Sequence, residues 1–132
     1  MRRTIISIVA LFLSLSTVSV YAQKKFDGKV LKEVNEWRID GKKKSLDHKT
    51  TYKDGKKVEE IEYSSTGDQK ERVTYKYNEA GKCIEESVYD EYNKLEKTMK
   101  YEYLENGKKK SQTTFLPNGK QKSYKEFEYI TE

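Results

Sequence analysis

Histidine, cysteine and proline each occur only once in the 132 residues. The single histidine, His48, excludes a metal site built on several histidines, and the single cysteine, Cys83, excludes an internal disulfide. The sequence has no phosphate-binding loop, zinc-ligand spacing or calcium loop. The adjacent carboxylates Glu59–Glu60 and Glu85–Glu86 point to opposite faces of a strand, so neither pair shares a site. The sequence therefore predicts a protein that is not an enzyme, with no catalytic residues, no cofactor and no metal site.

Arginine is also scarce, which argues against nucleic-acid recognition. Beyond residue 22 only Arg38 and Arg72 remain, and Lys is interleaved with Asp and Glu throughout. Arginine is the side chain that makes bidentate contacts with phosphates and base edges. Without Arg2 and Arg3 the formal charge falls from +5 to +3, with 25 basic residues against 22 acidic ones. This pattern indicates a solvated surface and no nucleic-acid partner.

The first 22 residues have the order of a secretory signal peptide. Arg2 and Arg3 precede an apolar run of roughly 16 residues, and Val20-Tyr21-Ala22 ends it with a small residue suited to cleavage. The run is shorter and richer in serine than a spanning helix, which needs about 20 predominantly apolar residues. Retention as a membrane anchor is the competing interpretation. We expect a signal peptide over residues 1–22 and a mature domain over residues 23–132, periplasmic or secreted, without a membrane span after cleavage.

Glycine marks a regular series of turns. Seven glycines and Asn93 recur at intervals of 12 to 14 residues, and lysine follows all of them except Gly67. Tight hairpin connections require positive φ, which glycine adopts without steric cost and asparagine tolerates. Eight such turns predict about eight strands that run up and down as an antiparallel meander. The turn residues are Gly28, Gly41, Gly55, Gly67, Gly81, Asn93, Gly107 and Gly119.

Two successive intervals together make a repeat of about 26 residues. Three copies of this repeat superpose without a gap from Gly55 onward. A looser copy from Gly28 to Tyr52 carries Trp37, as terminal repeats often differ from the others. Period-2 alternation and aromatic content favour strands over helices. The mean hydropathy of −1.03 is too polar for two packed layers. We therefore expect an all-β fold with one open, curved sheet; a closed small barrel, which has no exposed edges, is the alternative.

Six aromatic residues at equivalent positions of successive repeats are the candidate binding residues. Because 26 is even, they face the same side of a sheet whose side chains alternate. A second series, Tyr63, Tyr89 and Phe115, lies toward the opposite turns. The rings are either the core of a polar sheet or an exposed platform for sugar rings or for a partner's side chains. The six candidates are Tyr75, Tyr77, Tyr101, Tyr103, Phe127 and Tyr129.

The stretch Tyr75-Lys-Tyr-Asn-Glu-Ala-Gly-Lys82 resembles a YD repeat of RHS proteins, in which Tyr-x-Tyr-Asp leads into a glycine-centred turn. Asn78 stands where that family usually has Asp. The stretch Glu105-Asn-Gly-Lys-Lys-Lys110 is similar to the turns of MORN-like repeat proteins, some of which are assigned as antitoxins. The resemblance extends from Gly28 to Glu132. It implies β-hairpin repeats used in the bacterial envelope or exterior, and no toxin-encasing role.

These features predict an exported, non-enzymatic binding or interaction module. Its partner is a protein or a glycan of the envelope or extracellular space, engaged through an aromatic-lined sheet face or edge. Two alternatives stay open. A small-ligand carrier of barrel type requires a closed sheet with an apolar interior, and an immunity-like partner of a toxin is implied only by the MORN-like turns.

Overall fold

The computed structural model describes residues 25–132, so the expected signal peptide, residues 1–22, lies outside the described residues. Residues 25–132 form ten β-strands and contain no helix that could cross a membrane. The all-β prediction is confirmed. The strands are β1 (Lys25–Phe26), β2 (Lys29–Val30), β3 (Glu33–Asp40), β4 (Lys43–Lys53), β5 (Lys56–Tyr63), β6 (Gln69–Tyr77), β7 (Cys83–Tyr89), β8 (Leu95–Tyr103), β9 (Lys109–Phe115) and β10 (Gln121–Glu126).

Eight of these strands form one antiparallel sheet in which every strand lies beside its neighbours in sequence. The order runs from β3 to β10 without a crossover, and the two outermost strands do not pair with each other. Within residues 25–132 each strand of the sheet contacts only the strand before it and the strand after it, so no second layer covers either face. The predicted open meander is confirmed, and the alternative of a closed barrel is wrong.

Strands β1 and β2 form a separate two-stranded hairpin. Its turn contains Asp27 and Gly28, both with positive φ (52° and 79°). The hairpin makes no strand contact with the main sheet. The Gly28 turn therefore does not belong to the series that builds the meander, and the other seven turns connect its eight strands.

The turn residues predicted from the glycine spacing all have positive φ. All seven glycines have φ between 60° and 91°, and Asn93 has φ 64°. In the repeated turns the amide at this position donates to a carbonyl three residues earlier. Gly81 donates to Asn78 and Gly107 to Leu104, each at 2.9 Å, and Asn93 donates to Asp90 at the same distance. Asn93 thus takes the glycine role in its turn.

Every pair of neighbouring strands in the main sheet contains one β-bulge. Three of the extra residues, Val58, Ile84 and Lys110, are spaced 26 residues apart. The 26-residue repeat of the sequence is therefore repeated in the backbone register. Because a bulge bends its strand and increases the local twist, bulges at regular positions curve the sheet.

Few side chains are buried, because the sheet has a single layer. Among the apolar residues in the described range only Val88 and Tyr101 are buried, and Thr50, Ser111 and Thr114 are the buried polar ones. A core of this size contributes little hydrophobic stabilisation. The sheet is held instead by its hydrogen-bond ladders and by side-chain contacts between neighbouring strands, each worth roughly 0.2–1 kcal/mol.

Candidate functional site

The six candidate aromatic residues share one face of the sheet, named here the tyrosine face. Tyr75 lies opposite Glu86, and Glu86 lies opposite Met99. Tyr101 is two residues beyond Met99, and directly opposed or alternate residues have the same orientation. The same relation through Gln112 and Lys125 places Phe127 on this face. Equivalent rings are two strands apart, which corresponds to about 9.5 Å.

The second aromatic series lies on the opposite face. Tyr89 is opposite Arg72, and Arg72 is separated from Tyr75 by an odd number of residues along β6. Side chains with that separation point to opposite faces. Tyr63, Tyr89 and Phe115 therefore line the other side of the sheet, named here the salt-bridge face. The sequence predicted the two series at opposite margins and did not predict that they lie on opposite faces.

One tyrosine of each repeat fastens two neighbouring strands together. The hydroxyl of Tyr77 donates to the carbonyl of Lys57 at 2.7 Å, that of Tyr103 donates to the carbonyl of Cys83, and that of Tyr129 donates to the carbonyl of Lys109 at 2.7 Å. Each acceptor is 20 residues earlier in the chain. These bonds commit the hydroxyls to the backbone, so the three tyrosines act as latches between strands.

The other tyrosine of each repeat is paired with a carboxylate. Tyr75 donates to Glu60 at 3.2 Å, and Tyr101 donates to Glu86 at 2.9 Å. In the third repeat the equivalent residues are Phe127 and Gln112. In the third repeat the donor hydroxyl and the acceptor carboxylate are therefore both absent, so no half-buried carboxylate is left without its tyrosine partner.

Lysine side chains cover two of these rings. The ammonium of Lys57 lies 4.7 Å from the ring centre of Tyr75, and that of Lys109 lies 4.2 Å from the ring centre of Tyr101. Both distances fall within the range of cation–π attraction. Cys83 occupies the equivalent position between them. In the interior of the tyrosine face, lysine side chains of the same sheet therefore cover the rings of Tyr75 and Tyr101.

Burial and neighbouring carboxylates change the acidity of this face. Burial, followed by Glu86, raises the pKa of Tyr101, and burial, followed by Glu60, raises that of Tyr75. The pKa of the Cys83 thiol is also raised, first by burial and then by Glu86. A thiol with a raised pKa is a weak nucleophile at neutral pH. The raised pKa values keep the hydroxyls of Tyr75 and Tyr101 and the thiol of Cys83 protonated at neutral pH.

The salt-bridge face carries a chain of ion pairs and ring contacts. Arg72 lies 3.1 Å from a carboxylate oxygen of Glu59 and stacks 4.1 Å from the ring centre of Tyr89. Farther along, Glu85 is bracketed by Lys76 at 3.2 Å and Lys100 at 3.9 Å. In both groups the positive and negative charges are matched across neighbouring strands.

The adjacent carboxylates take partners on opposite faces, as predicted. Glu59 pairs with Arg72, whereas Glu60 accepts from Tyr75. His48 and Cys83 lie three strands apart, which is about 14 Å, so they form no dyad. No group of three or more His, Cys, Asp or Glu side chains that could hold a metal ion is found among residues 25–132.

Among the six candidate rings, the two most exposed are those that no following strand covers within residues 25–132. Tyr101 is 8% exposed, whereas its repeat equivalent Phe127 is 38% exposed and Tyr129 is 46% exposed. On the salt-bridge face of β10, Tyr124 is 49% exposed. We name Tyr124, Phe127 and Tyr129 the edge patch. Four of the six predicted residues therefore lie in the interior of the face, and two lie at its edge.

The sequence prediction missed Tyr124 and the opposite outer strand. In β3, Trp37 and Ile39 are both exposed on the salt-bridge face. Thr98 is the repeat equivalent of Tyr124, and the change from Thr to Tyr at an outer strand was the available signal. An aromatic residue that appears in only one repeat contributes nothing to the shared pattern, so a search for periodicity passes over it.

Comparisons with known proteins give little. No family model matches the chain, and no curated protein matches it. Among solved structures, the chain is similar to part of the GtfA/B complex bound to UDP and GlcNAc, with 11% identity and a TM-score of 0.33 over 79% of this chain. This chain covers 26% of the length of that one. A likeness at this level carries no argument, and the resemblance to YD and MORN-like repeats stays a prediction.

Proposed function

We propose that this protein is an exported, non-enzymatic binding module that takes up a β-strand of a protein partner along the outer side of β10. The observation that carries the proposal is the difference in exposure between Phe127 and Tyr101, which occupy the same position in successive repeats. At Tyr101 the next strand covers the ring, and at Phe127 that place is free among the described residues. Export rests on the predicted signal peptide.

The backbone of β10 is suited to such pairing. The amide of Phe127 donates to the carbonyl of Lys110 at 3.1 Å, so this amide points toward β9. Since amides alternate along a strand, those of Tyr124 and Glu126 point away from β9. A strand with a free row of donors and acceptors is the template used in β-strand addition, where backbone bonds give affinity and side chains give specificity.

The edge favours a protein over a glycan. A glycan platform needs ring faces that are free to stack, but Tyr75 and Tyr101 lie beneath Lys57 and Lys109. The hydroxyl of Tyr103 is committed to a backbone carbonyl. The rings of the edge patch lie instead on both sides of a free strand. This arrangement suits a partner strand whose alternate side chains contact both faces.

The carrier alternative has no support in this fold. It needs an enclosed apolar interior, and the main sheet is open. The depression beside the Asp54–Gly55 turn is shallow and open to solvent, and Lys53, Asp54 and Lys76 contribute to its walls. No observation on this sheet favours the immunity-like alternative, which stays a prediction.

Photo-cross-linking in the host cell tests the proposal. A photoreactive phenylalanine analogue is placed at Tyr124, and a matched control variant carries it at Thr98, the equivalent position in β8. We expect discrete protein adducts at Tyr124 and none above background at Thr98. Equal adducts at both positions, or none at Tyr124, would overturn the proposal.

A further inference from the structure

Resting on the proposed function, we infer that the strand taken up by β10 is β3 of a second copy of this chain. The two outer strands of the sheet are complementary in direction, in charge and in exposed apolar side chains. Their pairing extends the meander from one copy into the next.

The strand count sets the direction. The sheet has eight strands in sequence order, so β3 and β10 run antiparallel to each other. A second copy in the same orientation therefore presents β3 antiparallel to β10 of the first copy. Each junction would have the antiparallel geometry that already joins the strands within the sheet.

The repeat sets the register. Tyr75 lies opposite Glu86, and Tyr101 lies opposite Gln112. Phe127 follows Tyr101 in the repeat. In β3, Glu36 takes the place of Glu86 by strand pairing, because Glu36 lies opposite His48 as Glu86 lies opposite Met99. His48 then pairs with Glu62 as Met99 pairs with Thr114, which lies 52 residues after Glu62. Continuing the register places Phe127 opposite Glu36 and Tyr124 opposite Ile39 of the second copy. Tyr124 and Ile39, 49% and 63% exposed, then cover each other on the salt-bridge face.

On the tyrosine face the two outer strands carry side chains of opposite charge. There β10 carries Lys125, whereas β3 carries Glu36 and Asp40. Arg38 lies between the two β3 carboxylates and is already paired with Asp47 of its own copy. In the inferred register Lys125 lies directly opposite Arg38, whose charge Asp47 neutralises, and diagonal to both carboxylates at about 7–8 Å, which a lysine side chain spans.

On the salt-bridge face Glu126 comes opposite Trp37. The ammonium of Lys44 lies 4.5 Å from the centre of the Trp37 ring, so Glu126 gains a cation beside that ring. Both faces therefore bring opposite charges together at this junction.

Pairing of two β10 strands, or of two β3 strands, is unfavourable because it brings charges of the same sign together. Two β10 strands would bring two sets of lysines, Lys122 and Lys125, to one junction, and two β3 strands would bring two sets of carboxylates, Glu36 and Asp40. Like charges opposed across strands are destabilising. The geometry therefore selects an unlike pair of edges, and such contacts generate open linear assemblies because each new copy presents the same free edge.

Disulfide trapping tests the register. Two variants, Tyr124→Cys and Ile39→Cys, are made in a Cys83→Ser background, mixed in equal amounts and oxidised. We expect the mixed disulfide to exceed either homodimer at least fivefold, against the twofold excess of random pairing. The matched control replaces Tyr124→Cys by Thr98→Cys, an interior position, and yields no mixed product. Random proportions, or an excess of either homodimer, would overturn the inference.

A charge exchange tests the same junction without cysteines. Changing Lys122 and Lys125 to Glu should lower self-association at least tenfold in sedimentation at low salt. Adding Glu36→Lys and Asp40→Lys in the same chain should restore it. All four side chains are on the outer strands, so circular dichroism should show an unchanged sheet. If the quadruple variant keeps its sheet but does not regain self-association, that result would contradict the pairing.

These results separate the two proposals. If Tyr124 cross-links to another protein and the trapped mixed disulfide is absent, strand uptake by β10 stands and the second copy is rejected as the occupant. If Tyr124 gives no adduct at all, both fail.

Discussion

Removing one hydroxyl from the tyrosine face should measure how much the latches stabilise the sheet. Tyr103→Phe deletes the hydrogen bond to the Cys83 carbonyl and leaves the ring in place. The ring of Tyr103 is half-buried, so water only partly replaces the lost partner. A hydrogen bond of this kind contributes about 1 kcal/mol net to stability. We expect Tyr103→Phe to lower the free energy of unfolding by about that amount.

Position within the sheet provides the internal control. Tyr129 makes the same bond to Lys109 but is 46% exposed, so water can solvate the freed carbonyl. Tyr129→Phe should therefore cost less than half as much as Tyr103→Phe. Tyr77 makes the interior bond at 2.7 Å and should match Tyr103. Because Tyr77 and Tyr103 are about 9.5 Å apart, the double variant should show nearly additive losses, about 2 kcal/mol.

Urea unfolding followed by far-ultraviolet circular dichroism measures these differences. With an m-value of about 2 kcal/mol/M, a loss of 1 kcal/mol lowers the midpoint by about 0.5 M. The comparison requires equal m-values in all variants. Equal midpoints for Tyr103→Phe and Tyr129→Phe, both near the unchanged protein, would refute the latch explanation.

Three further predictions concern the same sheet. The raised pKa of Tyr75 and Tyr101 means that the folded state holds their protons more tightly than the unfolded state does. Their contribution to the free energy of unfolding is therefore fully present below about pH 10 and is lost as the pH rises above it. Unfolding curves at about pH 9 and 11 should show a smaller loss of stability in Tyr101→Phe than in the unchanged protein. Tyr101→Ala should cost about 3–4 kcal/mol and Phe127→Ala about 1 kcal/mol in urea unfolding, because only the former ring is buried; equal losses would contradict the exposure difference. Asn93→Ala should cost about 2 kcal/mol, since the Asn93 side chain accepts from Arg72 at 2.8 Å and positive φ disfavours alanine; an unchanged midpoint would contradict this role.

The turn positions and the repeat were predictable because they depend on local chemistry. Gly81 and Gly107 adopt positive φ, and Asn93 replaces glycine with the same geometry. The polar composition correctly predicted a single open layer, since so few apolar residues cannot fill a second one. The 26-residue period, read from side chains alone, reappears in the extra residues Ile84 and Lys110 of the bulges.

The sequence alone did not determine whether the two aromatic series lie on the same face of the sheet. Each hairpin of the main sheet contains a bulge, and one extra residue reverses which face the following side chains take. The bulge at Ile84 has no distinctive residue type that marks it. Whether Tyr89 shares a face with Tyr75 therefore depends on a one-residue difference that alternation alone does not determine.

The candidate site was predicted in part. The periodic rings were identified, but their partners Glu60 and Glu86 come from neighbouring strands and depend on register. Periodicity also treats Tyr101 and Phe127 as equal, whereas the structure separates them by the strand that covers only one. Tyr124 breaks the repeat and was missed for that reason.

The most direct test of strand uptake by β10 combines the Tyr124 photo-cross-link with Glu126→Pro. The amide of Glu126 points away from β9, so proline there removes a donor from the free edge and leaves the ladder to β9 in place. We predict that this variant keeps its unfolding midpoint and loses the adducts at Tyr124. Full adduct yield from the proline variant would contradict strand addition at β10.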